Sequence, residues 1–177
     1  MNPDAPISLL TASYGTRERA VQDFQSVWGA RHDGDFHHTA VALLRKGPDG
    51  ALDVERSNST AKHLVWGGAL LGGALFVLVP ATGVQILATV GLDGAGALIY
   101  HFRRNADPRE LADTALLLEE GDTGLVVVAV NRRGAALTPL LAHAQRSASV
   151  DLLWGDLEEE LCRDLMSERS DLVRLAS

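Results

Sequence analysis

The spacing of hydrophobic residues in the first third of the chain predicts a strand, an amphipathic helix and a hairpin. Residues 7–14 are apolar and rich in strand formers, and apolar positions recur at helical spacing over residues 17–31. Two further extended runs, 36–46 and 51–57, flank a Gly-Pro-Asp-Gly turn at 47–50. We therefore expect a strand and a helix followed by two antiparallel strands.

The second half of the chain repeats the strand, helix and strand pattern. An Asp-Pro start and a capping box predict a helix over 107–121. The continuous β-branched run 124–130 predicts a strand in the middle of a sheet. A helix between residues 134 and 146 and a strand over 149–154 complete the pattern.

Two such crossover units on one sheet predict an α+β ferredoxin-like sandwich with its helices on one face and the hairpin added at an edge. The segment after Trp154 has a capping box and leucines at three- and four-residue spacing, so it predicts a C-terminal amphipathic helix. This helix would dock on its own domain or on a protein partner. The predicted divisions are 7–60 and 105–155 for the two halves of the α/β domain, 61–104 for a glycine-rich hydrophobic hairpin, and 156–177 for the C-terminal helix.

The hairpin segment is unusual because residues 64–92 contain no charged side chain and no histidine. Pro80 divides the segment into two arms, which as helices would measure roughly 24 Å and 30 Å, against about 30 Å for the core of a bilayer. Both bases of the hairpin carry basic residues, which the positive-inside tendency places on the cytoplasmic side. The predicted membrane-interface residues are Lys62, Trp66, Tyr100, Arg103 and Arg104.

The same segment carries small residues at four-residue spacing, which allow helices to approach closely. We expect the hairpin to lie outside the core of the α/β domain and to bring copies of the chain together. The predicted packing positions are Gly67, Gly68, Gly72, Gly73, Pro80, Gly83, Gly91, Gly94 and Gly96. Three states of the hairpin stay open: it spans the bilayer, it enters and returns, or it is buried inside a soluble assembly.

Composition restricts the class of partner and the compartment. The formal net charge of -7 disfavours a nucleic acid, since phosphate binding depends on clustered Lys and Arg. The single cysteine, Cys162, cannot form an internal disulfide, and the N-terminal residues do not resemble an export signal, so we expect a reducing, cytoplasmic compartment for the polar domain.

Candidate chemistry is sparse. No catalytic residue, metal site or cofactor is predicted, because the His, Ser and Cys residues match no recurring motif spacing. Arg17, Arg132 and Arg133 follow the first strands of the two repeated units and could contact an anion at the helix starts. Asp93 is an acid within the hairpin, with either a functional role or a place in an Asp-Gly turn.

The α/β domain interrupted by a Gly/Ala/Leu hairpin, followed by DPRELADTALLLEEGDTGLVVVAV, resembles a widespread bacterial family of unknown function described as membrane or general-stress proteins. The resemblance covers Ile7 to Trp154. It rests on the positions Gly68, Gly72, Gly73, Pro80, Gly91, Gly94, Gly96, Glu119, Glu120 and Gly121. The long C-terminal helix and Asp93 depart from the family pattern.

The resemblance implies a membrane-associated and stress-related role without an established catalytic residue. We therefore expect a non-enzymatic bacterial protein whose hairpin attaches it to the inner membrane and to its own copies, with the α/β domain in the cytoplasm. The alternatives are a cytoplasmic self-assembling scaffold and a module that binds an anion or another small ligand.

Overall fold

The computed structural model describes residues 5–30, 36–59, 64–79, 82, 95–120, 122–131, 136–153, 155, 157, 159 and 163. Five strands form one antiparallel sheet in the order β3-β2-β4-β1-β5. The strands are β1 (Pro6–Tyr14), β2 (Phe36–Lys46), β3 (Leu52–Ser59), β4 (Thr123–Asn131) and β5 (Arg146–Leu153). The α+β class predicted from the sequence is confirmed.

Four α-helices are described besides a 3-10 turn at Thr138–Leu140. They are α1 (Arg17–Ala30), α2 (Leu64–Leu78), α3 (Ala95–Asn105) and α4 (Pro108–Glu120). At the start of α4, Asp107 Oδ1 accepts a hydrogen bond of 2.8 Å from the backbone N–H of Arg109, so the predicted cap is confirmed.

The central position of β4 is also confirmed. Its residues from Thr123 to Val130 are all buried, because both faces of the strand are covered. β4 lies between β1 and β2 and is antiparallel to both, so β1 and β2 run parallel without touching each other. The predicted hairpin is present as β2 and β3, and β3 is an edge strand. The turn between β2 and β3 includes Gly50 at a φ of +80°, a conformation that glycine adopts without strain.

The prediction that the helices lie on one face of the sheet is wrong. α1 covers one face, where Phe24 packs with Leu10 and Val127. α2, α3 and α4 cover the other face, which includes Leu9 and Val128. Alternate residues of β1 and β4 point to opposite faces and are apolar on both, so each face needs its own helical cover.

The helix predicted between residues 134 and 146 is not found in the described part, 136–146. The 3-10 turn occupies Thr138–Leu140, and β5 begins at Arg146. Two backbone N–H groups that an α-helix would use are donated elsewhere: His143 bonds Asp23 Oδ2 at 3.0 Å, and Gln145 bonds the Ser13 carbonyl at 2.9 Å. Tertiary hydrogen bonds therefore replace the helical ones in this crossover.

The expectation that the hairpin lies outside the core of the domain is wrong for its described part. Leu70, Leu75 and Leu78 of α2 are buried in the same hydrophobic cluster as strands β1, β2 and β4. Beyond α2, the Thr82 hydroxyl donates a hydrogen bond of 2.5 Å to the carbonyl of Leu52 in β3. The first arm of the hairpin thus crosses the sheet and is one of its covering helices.

The C-terminal helix lies mostly outside the described residues. Leu157, Glu159 and Arg163 are helical, and Leu157 is fully buried in the cluster that includes α2. At this position the chain packs on its own domain.

Candidate functional site

The contact between α2 and α3 depends on a glycine. A Cβ atom added to Gly73 would lie 2.9 Å from Leu98 Cδ2 and 3.2 Å from the Ala95 carbonyl oxygen. Such distances are shorter than ordinary van der Waals contact, so a side chain at position 73 would require Leu98 and the backbone at Ala95 to shift. One predicted small-residue face is therefore filled by α3 of the same chain.

The other predicted packing positions are only partly described. Gly72 is buried, Gly67 and Gly68 lie within α2, and Gly96 is exposed at the start of α3. Four further positions, Pro80, Gly83, Gly91 and Gly94, lie outside the described residues, and so does Asp93. Self-association through the hairpin stays a prediction.

Three of the predicted membrane-interface residues lie together on the outer side of α3, here called the α3 surface: Tyr100, Arg103 and Arg104. Tyr100 is 56% exposed, and both arginines are exposed. The Arg104 guanidinium lies 5.9 Å from the centre of the Tyr100 ring, and that of Arg103 lies 5.5 Å from the ring of Phe76 in α2. Both distances are within the range of cation–π attraction. Lys62 lies outside the described residues, as does the side chain of Trp66.

A cleft of about 370 Å³ lies beside the α3 surface, between the last turn of α3 and the end of β5. This α3–β5 cleft is lined by His101, Arg104 and Asn105 from the helix and by Asp151 and Leu153 from the strand. Its volume falls in the range of small-molecule sites. The sequence did not indicate it, because its two sides are about 50 residues apart in the chain.

A buried histidine, His101, joins the two sides of the cleft. His101 is 6% exposed, and its Nε2 donates a hydrogen bond of 2.9 Å to the Leu153 carbonyl at the free edge of β5. The Asn105 amide donates to His101 Nδ1 at 3.3 Å and to the His101 carbonyl at 3.0 Å. Both ring nitrogens are therefore used to tie α3 to β5, and the histidine has a positioning role.

The two charged residues that line the cleft carry their side chains on opposite faces of the sheet. Asp151 shares the α1 face with Ser8, whereas Arg104 belongs to α3 on the other face. Asp151 accepts hydrogen bonds from the hydroxyls of Ser8 and, at 3.4 Å, Ser149. The hydroxyl groups of Ser8 and Ser149 orient the Asp151 carboxylate, but they carry no positive charge that would neutralise it. Within the described part of the chain, no ion pair joins Arg104 to Asp151 or to any other acid.

A second polar cluster lies on the opposite face of the sheet and is centred on Asp23 of α1, which is fully buried. Asp23 accepts hydrogen bonds from the Tyr14 hydroxyl at 3.1 Å, the His143 backbone N–H at 3.0 Å and His143 Nδ1 at 2.7 Å. Burial, the charge of Asp23 and the hydrogen bond between Tyr14 and Asp23 all raise the pKa of Tyr14. Asp23 was missed in the sequence, although it shares the helical face of Ala20 and Val27.

The Asp23 cluster has the form of a carboxylate that orients a histidine, an arrangement common in acid–base catalysis. The His143 side chain is 44% exposed, but among the described residues its only hydrogen-bond partner is Asp23. A nucleophile bonded to the second ring nitrogen is therefore not part of the described structure. The geometry explains instead how the 136–145 crossover is fastened to α1.

The predicted anion contact is described only at Arg17. Its guanidinium is paired with Glu55 of β3, with Nε donating to Glu55 Oε1 at 2.7 Å. This pairing raises the pKa of Arg17 and lowers that of Glu55. Glu55 would compete with an external anion, and Arg132 and Arg133 lie outside the described residues. The anion site at these three residues stays a prediction.

Comparison of the chain with protein-family models, curated proteins and solved structures gives no significant match. The family resemblance seen in the sequence therefore stays a prediction. None of the helices in the described part of the chain combines the length and hydropathy needed to cross a bilayer. The described residues also contain no group of three or more His, Cys, Asp or Glu side chains that could hold a metal ion.

Proposed function

We propose that the protein is a non-enzymatic membrane-associated protein and that the α3 surface is the part that meets the lipid headgroups. The observation that carries this proposal is the joint exposure of Tyr100, Arg103 and Arg104 on one side of α3. Tyrosine is enriched at membrane interfaces because its ring is apolar and its hydroxyl is polar, while arginine extends its charge towards the headgroups.

Attachment at the surface agrees better with the packing of α2 than insertion of the hairpin does. Insertion would remove Leu70, Leu75 and Leu78 from the sheet, although each is at most 6% exposed in the fold. A bilayer would keep these leucines out of water, but the apolar sheet face that α2 covers on β2 and β4 would lose its cover. Burying a large apolar side chain contributes about 1.5–3 kcal/mol, so withdrawing α2 from the sheet would be costly. The α3 surface can contact a bilayer while α2 stays in place.

Local charge supports the proposal despite the acidic composition of the chain. Arg103 and Arg104 lie in the last turn of α3, which has no acidic residue. Each basic residue near an anionic membrane surface contributes about 1 kcal/mol to binding, and this contribution decreases within one Debye length. The positive charge on α3 therefore acts over a short range, within which salt screens the more distant acids of the chain.

Sedimentation with vesicles tests the proposal. The wild-type chain should bind vesicles that contain an anionic lipid, and more weakly at high salt. Arg103→Glu should reduce the affinity roughly thirtyfold, because it changes two charges worth about 1 kcal/mol each. Tyr100→Ser should also weaken binding, because it removes the exposed ring.

The matched control is Arg19→Glu, since Arg19 is also an exposed helical arginine but lies on α1, across the sheet from α3. It makes the same change of net charge and should leave binding near the wild-type value. Equal loss of binding in the Arg19 and Arg103 variants would contradict a specific α3 surface. Absence of vesicle binding, together with a large mass by light scattering, would support the alternative of a self-assembling scaffold.

The strands β5, β1, β4 and β2 follow the order of a ferredoxin-like sheet, and β3 extends it at one edge. We propose that the domain is a variant of that fold in which the second crossover helix is shortened to the 3-10 turn. The location at the cytoplasmic side of the inner membrane stays the prediction made from the sequence.

A further inference from the structure

We infer that β5 pairs with β5 of a second copy of this chain, so that two sheets join into one antiparallel sheet across a two-fold axis. β5 lies at the end of the strand order, and among the described residues no strand pairs with its outer side. The partner is a second copy because this edge is complementary to itself in one register. The dimer does not depend on the proposed function.

The backbone of β5 presents a bounded set of hydrogen-bonding groups at the sheet edge. The Ser13 carbonyl accepts a hydrogen bond of 2.9 Å from the Gln145 N–H, so Ser13 directs its backbone groups towards β5. Ser13 lies opposite Arg146, and backbone groups alternate in direction, so every second residue from Arg146 bonds β1. The residues between them that face outwards are Ser147, Ser149 and Asp151. The next outward carbonyl, that of Leu153, already accepts a hydrogen bond from His101.

These three outward-facing residues determine the register of the dimer. All three find a partner only when Ser149 lies on the two-fold axis, opposite Ser149 of the second copy. Ser147 then lies opposite Asp151 of the second copy, and each of these pairs exchanges two backbone hydrogen bonds. A shift by two residues in either direction would place Ser147 or Asp151 opposite a residue whose backbone is already bonded, namely Leu153 or Gln145.

The side chains of β5 fit this register. Residues opposite each other point to the same face, so the Ser147 hydroxyl can donate to the Asp151 carboxylate of the second copy. Asp151 accepts hydrogen bonds from Ser8 and Ser149, and a carboxylate has further lone pairs for this additional donor. On the other face Ala148 lies opposite Val150. The register therefore places no two like charges opposite each other.

The other edge of the sheet is protected against such pairing, whereas β5 is not. β3 carries Asp53, Glu55 and Arg56, and its register with β2 shifts at Glu55. Glu55 is also paired with Arg17. Charged side chains and bulges are the devices that prevent edge strands from associating. β5 keeps a regular register with β1, and residues 147–150 carry no charge.

The symmetry of the dimer has a consequence for the proposed function. A two-fold axis perpendicular to the sheet keeps equivalent faces on the same side, so both α3 surfaces lie on one face of the joined sheet. A dimer would contact a bilayer with two such surfaces at once, which raises its apparent affinity.

Light scattering of the full chain without lipid tests the dimer, with a thiol reductant present to prevent a disulfide through Cys162. The wild-type chain should have the mass of a dimer and dissociate on dilution. Ser149→Pro should raise the dissociation constant roughly tenfold or more, because both copies lose an N–H donor at the axis. This N–H points away from β1, so the fold should persist, as circular dichroism can verify.

Two lysine substitutions on the same face of β5 test the register. Ser149→Lys places two like charges opposite each other and should weaken the dimer several-fold. Ser147→Lys is the matched control, because it places the lysine opposite Asp151 and should leave the dimer at least as stable as the wild type. Equal weakening by both substitutions would overturn the inference, and so would a monomeric wild-type chain or an unchanged dimer in Ser149→Pro.

Vesicle sedimentation separates this inference from the proposed function. Where the wild-type chain is dimeric, Ser149→Pro should bind anionic vesicles more weakly, because it presents one α3 surface at a time. Absence of vesicle binding by a dimeric wild-type chain would contradict the proposed function and leave the dimer intact. Vesicle binding by a monomeric wild-type chain would overturn the dimer and leave the α3 surface intact.

Discussion

Two glycines of this protein differ in how closely neighbouring atoms approach them. Gly73 lets α3 approach α2, whereas Gly29 in α1 has no atom within 4 Å of the place where its Cβ would be. The two glycines therefore provide a matched pair in which only one position depends on close packing.

We expect Gly73→Ala to lower the free energy of unfolding by up to about 2 kcal/mol. Overpacking of the new methyl group against Leu98 and the Ala95 carbonyl costs about 1–3 kcal/mol, and the gain in helix propensity offsets about 1 kcal/mol of it. Gly29→Ala should raise the free energy of unfolding by up to about 1 kcal/mol, since alanine is the better helix former. Urea unfolding at constant m-value measures both changes. A gain in stability for both variants would show that the α2–α3 contact is looser than described.

Tyr14 predicts a specific loss of stability in alkaline solution. Its pKa in the folded chain is raised, mainly by burial and then by the charge and hydrogen bond of Asp23, while an unfolded tyrosine titrates near pH 10. The neutral hydroxyl therefore stabilises the fold below about pH 10, and this contribution is lost as the pH rises and the unfolded chain ionises first.

The stability of the wild-type chain should consequently fall more steeply between about pH 9 and 11 than that of Tyr14→Phe, which has no proton to lose at this position. Urea midpoints measured across this interval test the difference. Parallel curves for the two proteins would mean that Tyr14 is as easily ionised in the fold as in the unfolded chain.

At the scale of elements, the described part of the hairpin is the clearest difference between expectation and structure. α2 is apolar all round, a composition that suits either a bilayer or a helix buried within protein. The sequence cannot separate these environments, because both remove the helix from water. The structure places α2 on the sheet, with Leu75 fully buried and Thr82 bonded to β3.

Leu75→Ala should therefore lower the free energy of unfolding of the whole domain by about 2–5 kcal/mol, as for other large-to-small substitutions in a core. Leu116→Ala in α4 is the control, because this leucine is 53% exposed and its replacement should change stability by no more than about 0.5 kcal/mol. Similar small effects of both substitutions would indicate that α2 does not belong to the core in solution.

The elements that could be predicted are those whose signal is local. β1, α1, β4 and α4 follow from periodicity and capping within their own residues. The 3-10 turn could not be predicted, because Asp23 and Ser13 divert the backbone donors of His143 and Gln145 from 120 or more residues away. The α3–β5 cleft could not be predicted for the same reason, since α3 and β5 come together only after the sheet is assembled.

At the scale of the whole molecule, the two faces of the sheet differ in the elements that cover them and in the surfaces that those elements carry. The face under α1 is closed by a short crossover that the Asp23 cluster fastens, with His143 at the surface. The face under α2, α3 and α4 also receives Leu157 and bears both the α3 surface and the α3–β5 cleft. Membrane contact, as proposed, therefore belongs to the side of the protein that carries α3.

The place of β4 between β1 and β2 also determines when the chain can fold during its synthesis. β1 and β2 leave the ribosome early, but they are joined only by β4, which begins at Thr123. Pairings between strands so distant in sequence form slowly, and unpaired apolar strands aggregate readily while they wait. We therefore expect the nascent chain to be most prone to aggregation before its central strand is made, and the completed sheet removes this exposure by placing a neighbouring strand on both sides of β1 and β2.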